Sequence, residues 1–312
     1  MSTEFKYDNR RKSNCYNKYS KGKKNYGGSS YRPSQGKGAS ESFKGGTFKG
    51  GNKNFKYSKN YRKKPYQKQI KPIKNKPSVK IAFLGGLNEI GKNITMIECE
   101  NDIILVDCGM AFPDGDMLGV DLVIPDFTYI EQNQDKIRGI VLTHGHEDHI
   151  GGLPFLLGRV NIPIYGTALT LGLVGNKLNE SSLSRENAGE TIKLGCMSVE
   201  FIHVNHSIPD AVAFAIRTPA GTIVHTGDFK IDCTPITGDM IDLSAFARVG
   251  DEGVLALLAE STNAERPGYT QTERTVSDSF DNLFRRAEHD RIIIATFASN
   301  VNRVQQSINC SE

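Results

Sequence analysis

The chain is 312 residues long, with 39 basic and 35 acidic residues and a formal net charge of +4 at pH 7. No apolar run approaches the length of a membrane span, and the N-terminus lacks the apolar core of a signal peptide, so we expect neither a membrane-spanning nor a secreted protein. The six cysteines form no C-x-x-C pair. That argues against a disulfide framework and favours reduced thiols in the cytoplasm.

The charge is divided very unevenly along the chain. Residues 1–80 carry 23 of the 39 basic residues and 3 of the 35 acidic ones, which leaves 16 basic and 32 acidic residues for 81–312. Residues 1–78 contain few large aliphatic side chains, so we expect this basic segment to be disordered. Its tyrosines and phenylalanines alternate with lysine and glycine, a composition that suits single-stranded nucleic acid. A solvated linker without a fixed partner is the alternative.

From residue 79 the hydrophobic pattern predicts a layered domain that mixes strands and helices. We expect strands at residues 79–84, 94–99, 102–107, 162–165, 199–204, 212–217, 222–226, 255–260 and 291–296. The strands at 94–99 and 102–107 are predicted to pair as a hairpin, and so are those at 212–217 and 222–226. Helices are expected at residues 150–157 and 275–289. The strands at 255–260 and 291–296 are almost wholly apolar, so both are predicted to be buried.

Four side chains that bind metals fall within six residues, directly after the apolar run 140–142. His144 and His146 are two residues apart and can face the same side of an extended segment. Asp148 and His149 follow at the turn and can face a second ion. Imidazole with carboxylate suits zinc, or manganese if oxygen ligands dominate. The run therefore predicts part of a two-metal centre.

This run resembles the signature of the metallo-β-lactamase superfamily, and several other motifs resemble ribonuclease J, in its β-CASP branch of nucleases. The ribonuclease J motifs lie at residues 83–93, 105–109, 117–121, 205–210, 225–230 and 296–300. They recur in the family's order over about residues 79–308. The resemblance implies an α/β protein, an αββα sandwich, with the metallo-β-lactamase domain at 79–259 and the beginning of a β-CASP domain at 260–312.

The same resemblance implies which residues bind the ions. His206 would join His144 and His146 around the first ion, and Asp148 and His149 would hold part of the site for the second. Two Zn²⁺ ions, or Mn²⁺, are the cofactors expected of such a centre.

The remaining roles at the centre also come from the resemblance. Asp228 would be the carboxylate that bridges both ions, and Asp148 and Asp228 would take part in hydroxide attack on an RNA phosphodiester. Asp107 would orient the metal loop without binding metal itself.

The resemblance also suggests two sites outside the metal centre, on weaker grounds. Ser299, Asn300 and Val301 match the family's loop beside the RNA phosphate, and hydroxyl, amide and backbone N–H groups are suitable donors to phosphate. Leu118 and Val120 match residues whose main-chain carbonyls hold a structural Ca²⁺ in some members, and carbonyl oxygens suit that ion.

The chain ends before the family's pattern is complete, so the sandwich and the β-CASP domain are expected to be incomplete. The downstream histidine of the second metal site and the family's phosphate-binding histidine group have no counterpart in the sequence. We therefore expect tight binding of one ion, weak binding of the second and impaired nuclease activity.

Three functions are compatible with the sequence. The leading one is a ribonuclease J-like 5′-to-3′ exonuclease and endonuclease in RNA processing and decay, which acts on single-stranded RNA with a 5′-monophosphate end. The partners expected besides RNA are further copies of the same chain, in a homodimer or homotetramer, or the proteins of an RNA-degradation complex. The alternatives are another hydrolase of the superfamily, of the thioesterase or lactamase type, and a non-catalytic RNA-binding or assembly subunit.

Overall fold

A computed structural model describes residues 77–178, 183–287 and 289–311. The predicted disordered extension at residues 1–78 therefore lies outside the described residues, except for its last two. Within the described ranges no helix is long and apolar enough to cross a membrane.

The first sheet has six strands in the order β1-β2-β3-β4-β5-β6. They are β1 (Val79–Gly85), β2 (Ile94–Cys99), β3 (Asp102–Val106), β4 (Ile137–Val141), β5 (Ile164–Gly166) and β6 (Leu183–Arg185). The first three are antiparallel, and β3 to β6 run parallel. The predicted hairpin of β2 and β3 is confirmed, since Ile97 pairs with Ile104.

The second sheet has five strands in the order β11-β10-β9-β8-β7. They are β7 (Thr191–Leu194), β8 (Met197–His203), β9 (Val212–Thr218), β10 (Gly221–His225) and β11 (Val254–Leu258). The predicted hairpin of β9 and β10 is confirmed. Its turn is closed by Thr218, whose Oγ1 accepts hydrogen bonds from the N–H groups of Ala220 and Gly221 at 3.1 and 3.2 Å.

Helices lie between and after the strands in the sequence. They are α1 (Thr128–Gln132), α2 (Glu147–Ile150), α3 (Leu153–Leu157), α4 (Ala168–Gly175), α5 (Leu243–Glu252), α6 (Arg274–Arg286) and α7 (Val301–Ser311), with a 3-10 turn at Gln134–Lys136. The α5 helix begins at Asp242, whose side chain accepts the Ala245 N–H at 2.9 Å.

Three apolar cores hold these layers together, because alternate side chains of each strand point to opposite faces. The core between the two sheets includes Ile97 and Ile104 from the first and Phe201 and Phe214 from the second. The rings of Phe201 and Phe214 meet edge to face at 5.0 Å. Outside the sheets, α1 to α4 pack on the first and α5 packs on the second. The predicted αββα layering is therefore confirmed.

Two of the expected elements differ in detail. In place of one helix at 150–157, α2 ends at Ile150 and α3 begins at Leu153, with Gly151 and Gly152 between them and Pro154 in the first turn of α3. The strand expected at 255–260 is β11, an edge strand whose outer face is open, with Leu257 63% exposed. Its prediction as a buried strand was therefore wrong for that face.

The predicted buried strand at 291–296 was also wrong. These residues form no strand, and Ile293 is 88% exposed. An apolar run becomes a buried strand only where a neighbouring strand and a covering layer meet it, and no described strand pairs with this one. The helix predicted at 275–289 is confirmed as α6, and Ser277 Oγ lies 3.0 Å from Gln306 Oε1 of α7. The domain boundary at residue 260 stays a prediction.

Candidate metal centre

The ends of four strands, two from each sheet, meet at one edge of the sandwich. Asp107 directly follows β3, and His144 lies three residues beyond the end of β4. From the second sheet, His206 follows β8 and Asp228 follows β10. The two sheets are tied here by the N–H of Val212, which donates to the main-chain oxygen of Thr143 at 2.9 Å.

The first group of ligands consists of His144, His146 and His206. His146 Nδ1 lies 3.0 Å from His144 Nε2 and 3.2 Å from His206 Nε2. Burial lowers the pKa of all three imidazoles, to about 4 for His206. At neutral pH they are therefore held in the uncharged form that binds a metal ion.

The second group consists of His144, His149 and Asp228, with Asp148 beside it. His149 Nε2 lies 3.5 Å from Asp148 Oδ2 and 3.6 Å from Asp228 Oδ2. Burial alone would lower the pKa of His149, but the carboxylates of Asp107 and Asp228 outweigh it and hold that pKa well above its ordinary value. These carboxylates favour a cation at this position, either a proton or a metal ion.

Asp228 lies between the two groups. Its Oδ2 is 3.8 Å from His206 Nε2 in the first group and 3.6 Å from His149 Nε2 in the second. Burial would raise the pKa of Asp228, but the imidazoles of His149, His206 and His146 outweigh it and lower that pKa. A single carboxylate thus faces both groups in its ionised form.

Asp107 contacts the loop that carries the histidines, at Thr143 and at His149. Its Oδ1 accepts the N–H of Thr143 at 2.8 Å, and its Oδ2 lies 2.7 Å from His149 Nδ1. The residue has a φ of 63°, a left-handed conformation that is uncommon for residues other than glycine. Backbone strain of this kind persists where surrounding contacts fix it.

The donor set suits the metals that the sequence suggests. Four imidazoles and the carboxylates of Asp148 and Asp228 converge within hydrogen-bonding or ion-pairing distance of one another. Nitrogen and carboxylate oxygen are the usual ligands of Zn²⁺, and Mn²⁺ accepts the same set when oxygen ligands dominate. The His and Asp cluster could therefore bind metal.

Two contributors to this site were not predicted. Thr143 Oγ1 lies 2.8 Å from Asp107 Oδ2 and 3.0 Å from His144 Nδ1, so one hydroxyl contacts both. Asn93, from the loop between β1 and β2, places Nδ2 3.1 Å from His149 Nε2. Thr143 could have been suspected from its place beside His144. Asn93 is more than 50 residues from His149 in the sequence. The only signal for it was its place in the motif at residues 83–93.

The predicted RNA-binding residues lie on a separate segment, before and at the start of α7. Asn300 is buried and, with His206 and Lys230, lines a cavity of about 360 Å³ beside the first ligand group. Ser299 and Val301 are not among the residues that line this cavity. The role of all three in RNA binding stays a prediction.

The predicted calcium residues occupy an exposed loop. Leu118 is 91% exposed, and Val120 donates its N–H to the main-chain oxygen of Met117 at 3.3 Å. Among the described residues, groups of three or more metal-binding side chains occur only in the histidine cluster. Main-chain carbonyls are the ligands at issue here, so the calcium site stays a prediction.

Comparison with known proteins agrees with this geometry. A family model described as the metallo-beta-lactamase superfamily matches residues 87–262. Ribonuclease J of Helicobacter pylori is 47% identical over 243 residues, which cover 76% of this chain and 35% of that protein. Ribonuclease J 1 of Streptococcus pyogenes is 49% identical over 75% of this chain and 43% of its own length. Ribonuclease J2 of Bacillus subtilis is 44% identical over 76% of this chain and 44% of its own length.

These matches cover only part of each relative. The chain spans about two fifths of the length of the curated relatives named above. Among solved structures, a protein of unknown function from Enterococcus faecalis aligns with a TM-score of 0.57 at 17% identity, over 75% of this chain and 63% of its own. That likeness concerns the fold alone.

Proposed function

Because the chain belongs to the metallo-beta-lactamase superfamily, we propose that its two ligand groups hold divalent cations and that it hydrolyses RNA as ribonuclease J does. The observation that carries this proposal is the position of Asp228. Its carboxylate faces His206 of one group and His149 of the other at 3.8 and 3.6 Å. Such a carboxylate can hold two cations a few ångströms apart.

In this proposal His144, His146 and His206 bind the first ion, and Asp148 and His149 bind the second. Zn²⁺ is the first choice because imidazole dominates the ligands, with Mn²⁺ as the alternative. Three neutral imidazoles make the first site the tighter one. At the second site the ion must displace a proton that neighbouring carboxylates stabilise on His149. A structural Ca²⁺ at Leu118 and Val120 is a separate proposal.

The proposed reaction is hydrolysis of a phosphodiester. Two bound divalent ions would acidify a water molecule and neutralise charge that develops on the phosphoryl oxygens. Asp228 holds its negative charge between the ligand groups, and Asp107 fixes the ring of His149. Asn300, which lines the neighbouring cavity, would position the RNA backbone together with Ser299 and Val301 of the same segment.

The substrate proposed is single-stranded RNA with a 5′-monophosphate, degraded from the 5′ end and also cut internally. This specificity comes from the likeness to ribonuclease J and belongs to RNA processing and decay in the cytoplasm. The charge of residues 1–80, 23 basic against 3 acidic, supports a nucleic-acid substrate. A homodimer, homotetramer or RNA-degradation complex is proposed on the same likeness.

A non-catalytic RNA-binding role is the second candidate, and it is favoured by the concentration of basic and aromatic residues before residue 80. In that case RNA binding would survive His144→Ala together with His146→Ala and would depend on residues 1–78. A hydrolase of the thioesterase or lactamase type would instead cleave a small thioester or lactam and leave RNA intact.

The test is metal content and RNA cleavage on the same preparation. The purified chain, reconstituted with Zn²⁺ or Mn²⁺, is analysed by elemental mass spectrometry and incubated with 5′-monophosphorylated RNA. We expect two ions per chain, and cleavage that Asp228→Ala abolishes and the exposed Asp251→Ala leaves intact. RNA that stays intact with wild-type protein, or is cut equally by Asp228→Ala, would contradict the proposal.

A further inference from the structure

Asn93 reaches the second ligand group from the loop between β1 and β2. Its Nδ2 lies 3.1 Å from the main-chain oxygen of Asp148, 3.4 Å from Asp148 Oδ2 and 3.1 Å from His149 Nε2. We propose that Asn93 is a positioning residue for the second metal ion, which holds Asp148 beside His149 for coordination. This inference rests on the two-ion function proposed above and adds to it a residue that does not itself bind metal.

The backbone fixes Asn93 in place. Its N–H donates to the main-chain oxygen of Asp148 at 3.0 Å, and its own carbonyl accepts the N–H of Gly109 at 2.9 Å. Gly109 permits this approach, because a Cβ there would lie 1.6 Å from the Asp148 oxygen. Asn93 and Asp148 are therefore joined by main chain as well as side chain.

The amide group has one orientation that fits its surroundings. Its Nδ2 faces the main-chain oxygen of Asp148, so exchanging nitrogen and oxygen would bring two acceptors together. On the opposite side Oδ1 lies against Gly86, where a Cβ would be only 2.4 Å away and where φ is +81°. The NH₂ group therefore faces the ligands, and the glycine at position 86 provides its space.

This orientation assigns Asn93 different contacts with and without metal. Nδ2 lies 3.1 Å from His149 Nε2, the atom that a cation at the second site would bind, so this contact would be given up when an ion binds. The bonds to Asp148 compete with no ligand and can remain. Partners that hold a metal ligand by hydrogen bonds typically change metal affinity by about 10- to 100-fold. The side chain of Asn93 contacts Asp148 and His149, and within the described ranges it makes no hydrogen bond to the first group.

The experiment is titration of the metal-free chain with Zn²⁺ against a chromophoric chelator. We expect two binding events in the wild type. In Asn93→Ala the second should weaken by about 10- to 100-fold while the first stays unchanged within error. Asn187→Ala is the matched control, since its amide donates to Glu190 on the exposed surface. Asn93→Ser, which keeps a small polar side chain but lacks the amide NH₂ group, replaces Asn93→Ala if that variant does not fold.

Gly86→Ala provides an independent test, because the added methyl group would push the amide off Asp148. Thermal unfolding of the metal-free variants identifies any general loss of structure. The inference is overturned if Asn93→Ala keeps both affinities, if it weakens both equally, or if wild-type protein takes up one ion only. RNA cleavage is not the readout. Selective loss of the second ion in a chain that never cuts RNA would uphold this inference and contradict the proposed function.

Discussion

The carboxylate of Asp107 lies 2.7 Å from Nδ1 of His149 and sets which nitrogen of that ring is available. With Nδ1 engaged, Nε2 faces Asp148 and Asp228. Asp107 can do this because the chain takes a left-handed conformation directly after β3, and Thr143 holds both carboxylate oxygens. A residue that contacts no proposed ion thus decides the geometry of the second site.

Asp107→Asn should weaken the second ion selectively. Asparagine tolerates the left-handed backbone at this position, so the change removes charge and one acceptor atom without added strain. We expect the affinity for the second ion to fall by about 10- to 100-fold, with the first little affected, in a Zn²⁺ titration. Asp251→Asn on the exposed face of α5 is the control. Equal affinities in Asp107→Asn and wild type would show that Asp107 does not orient His149.

Thr143→Val should lower the stability of the metal-free chain. Valine keeps the shape of threonine but lacks the hydroxyl that contacts Asp107 and His144. Because these partners are buried, we expect the free energy of unfolding to fall by about 1–3 kcal/mol in urea denaturation. Thr191→Val, at an exposed position of β7, should change it little. An equal loss in both variants would show that the effect does not come from the buried hydroxyl of Thr143.

Gly109→Ala should destabilise the protein far more than Gly172→Ala. A Cβ at Gly109 would meet the main-chain oxygen of Asp148 at 1.6 Å, whereas a Cβ at Gly172 on α4 meets nothing within 4 Å. We expect a loss of more than about 2 kcal/mol for the first variant. The second should gain up to about 1 kcal/mol, because alanine favours helix. Similar melting temperatures for the two variants would contradict this account.

Glu273→Gln should flatten the dependence of stability on acid pH. Burial would raise the pKa of Glu273, but Lys230 and Arg303, each with a nitrogen 3.0 Å from it, outweigh burial and lower that pKa. The folded pKa is thus below the ordinary value of 4.5. The contribution of ionised Glu273 to the free energy of unfolding is therefore complete above the ordinary pKa of 4.5. It is lost as the pH falls through the lower pKa of the folded state.

The measurement for Glu273 is urea denaturation at neutral pH and near pH 3.5. At neutral pH the variant should be less stable than the wild type by about 1–2 kcal/mol, and the difference should shrink in acid. Glu265→Gln, at an exposed position, is the control. A gap between wild type and Glu273→Gln that widens in acid would show that the ionised Glu273 does not stabilise the fold.

Local sequence was sufficient for most of the strands and for the run of candidate metal ligands at residues 144–149. The hairpins of β2 with β3 and β9 with β10 follow from alternation and a short turn, which neighbouring residues specify. The sequence also marked His144 to His149, because side chains two residues apart on an extended segment face the same way. His206 and Asp228 came from motifs, and the fold places both of them at that run.

Tertiary structure decided the rest, since those features depend on what a residue meets and not on its neighbours in sequence. The apolar run at 291–296 remains exposed because no described strand pairs with it. The choice of nitrogen on His149 and the orientation of the Asn93 amide required contacts across 42 and 56 positions of the chain. The sequence by itself determined which residues could bind metal, and packing determined how each is held.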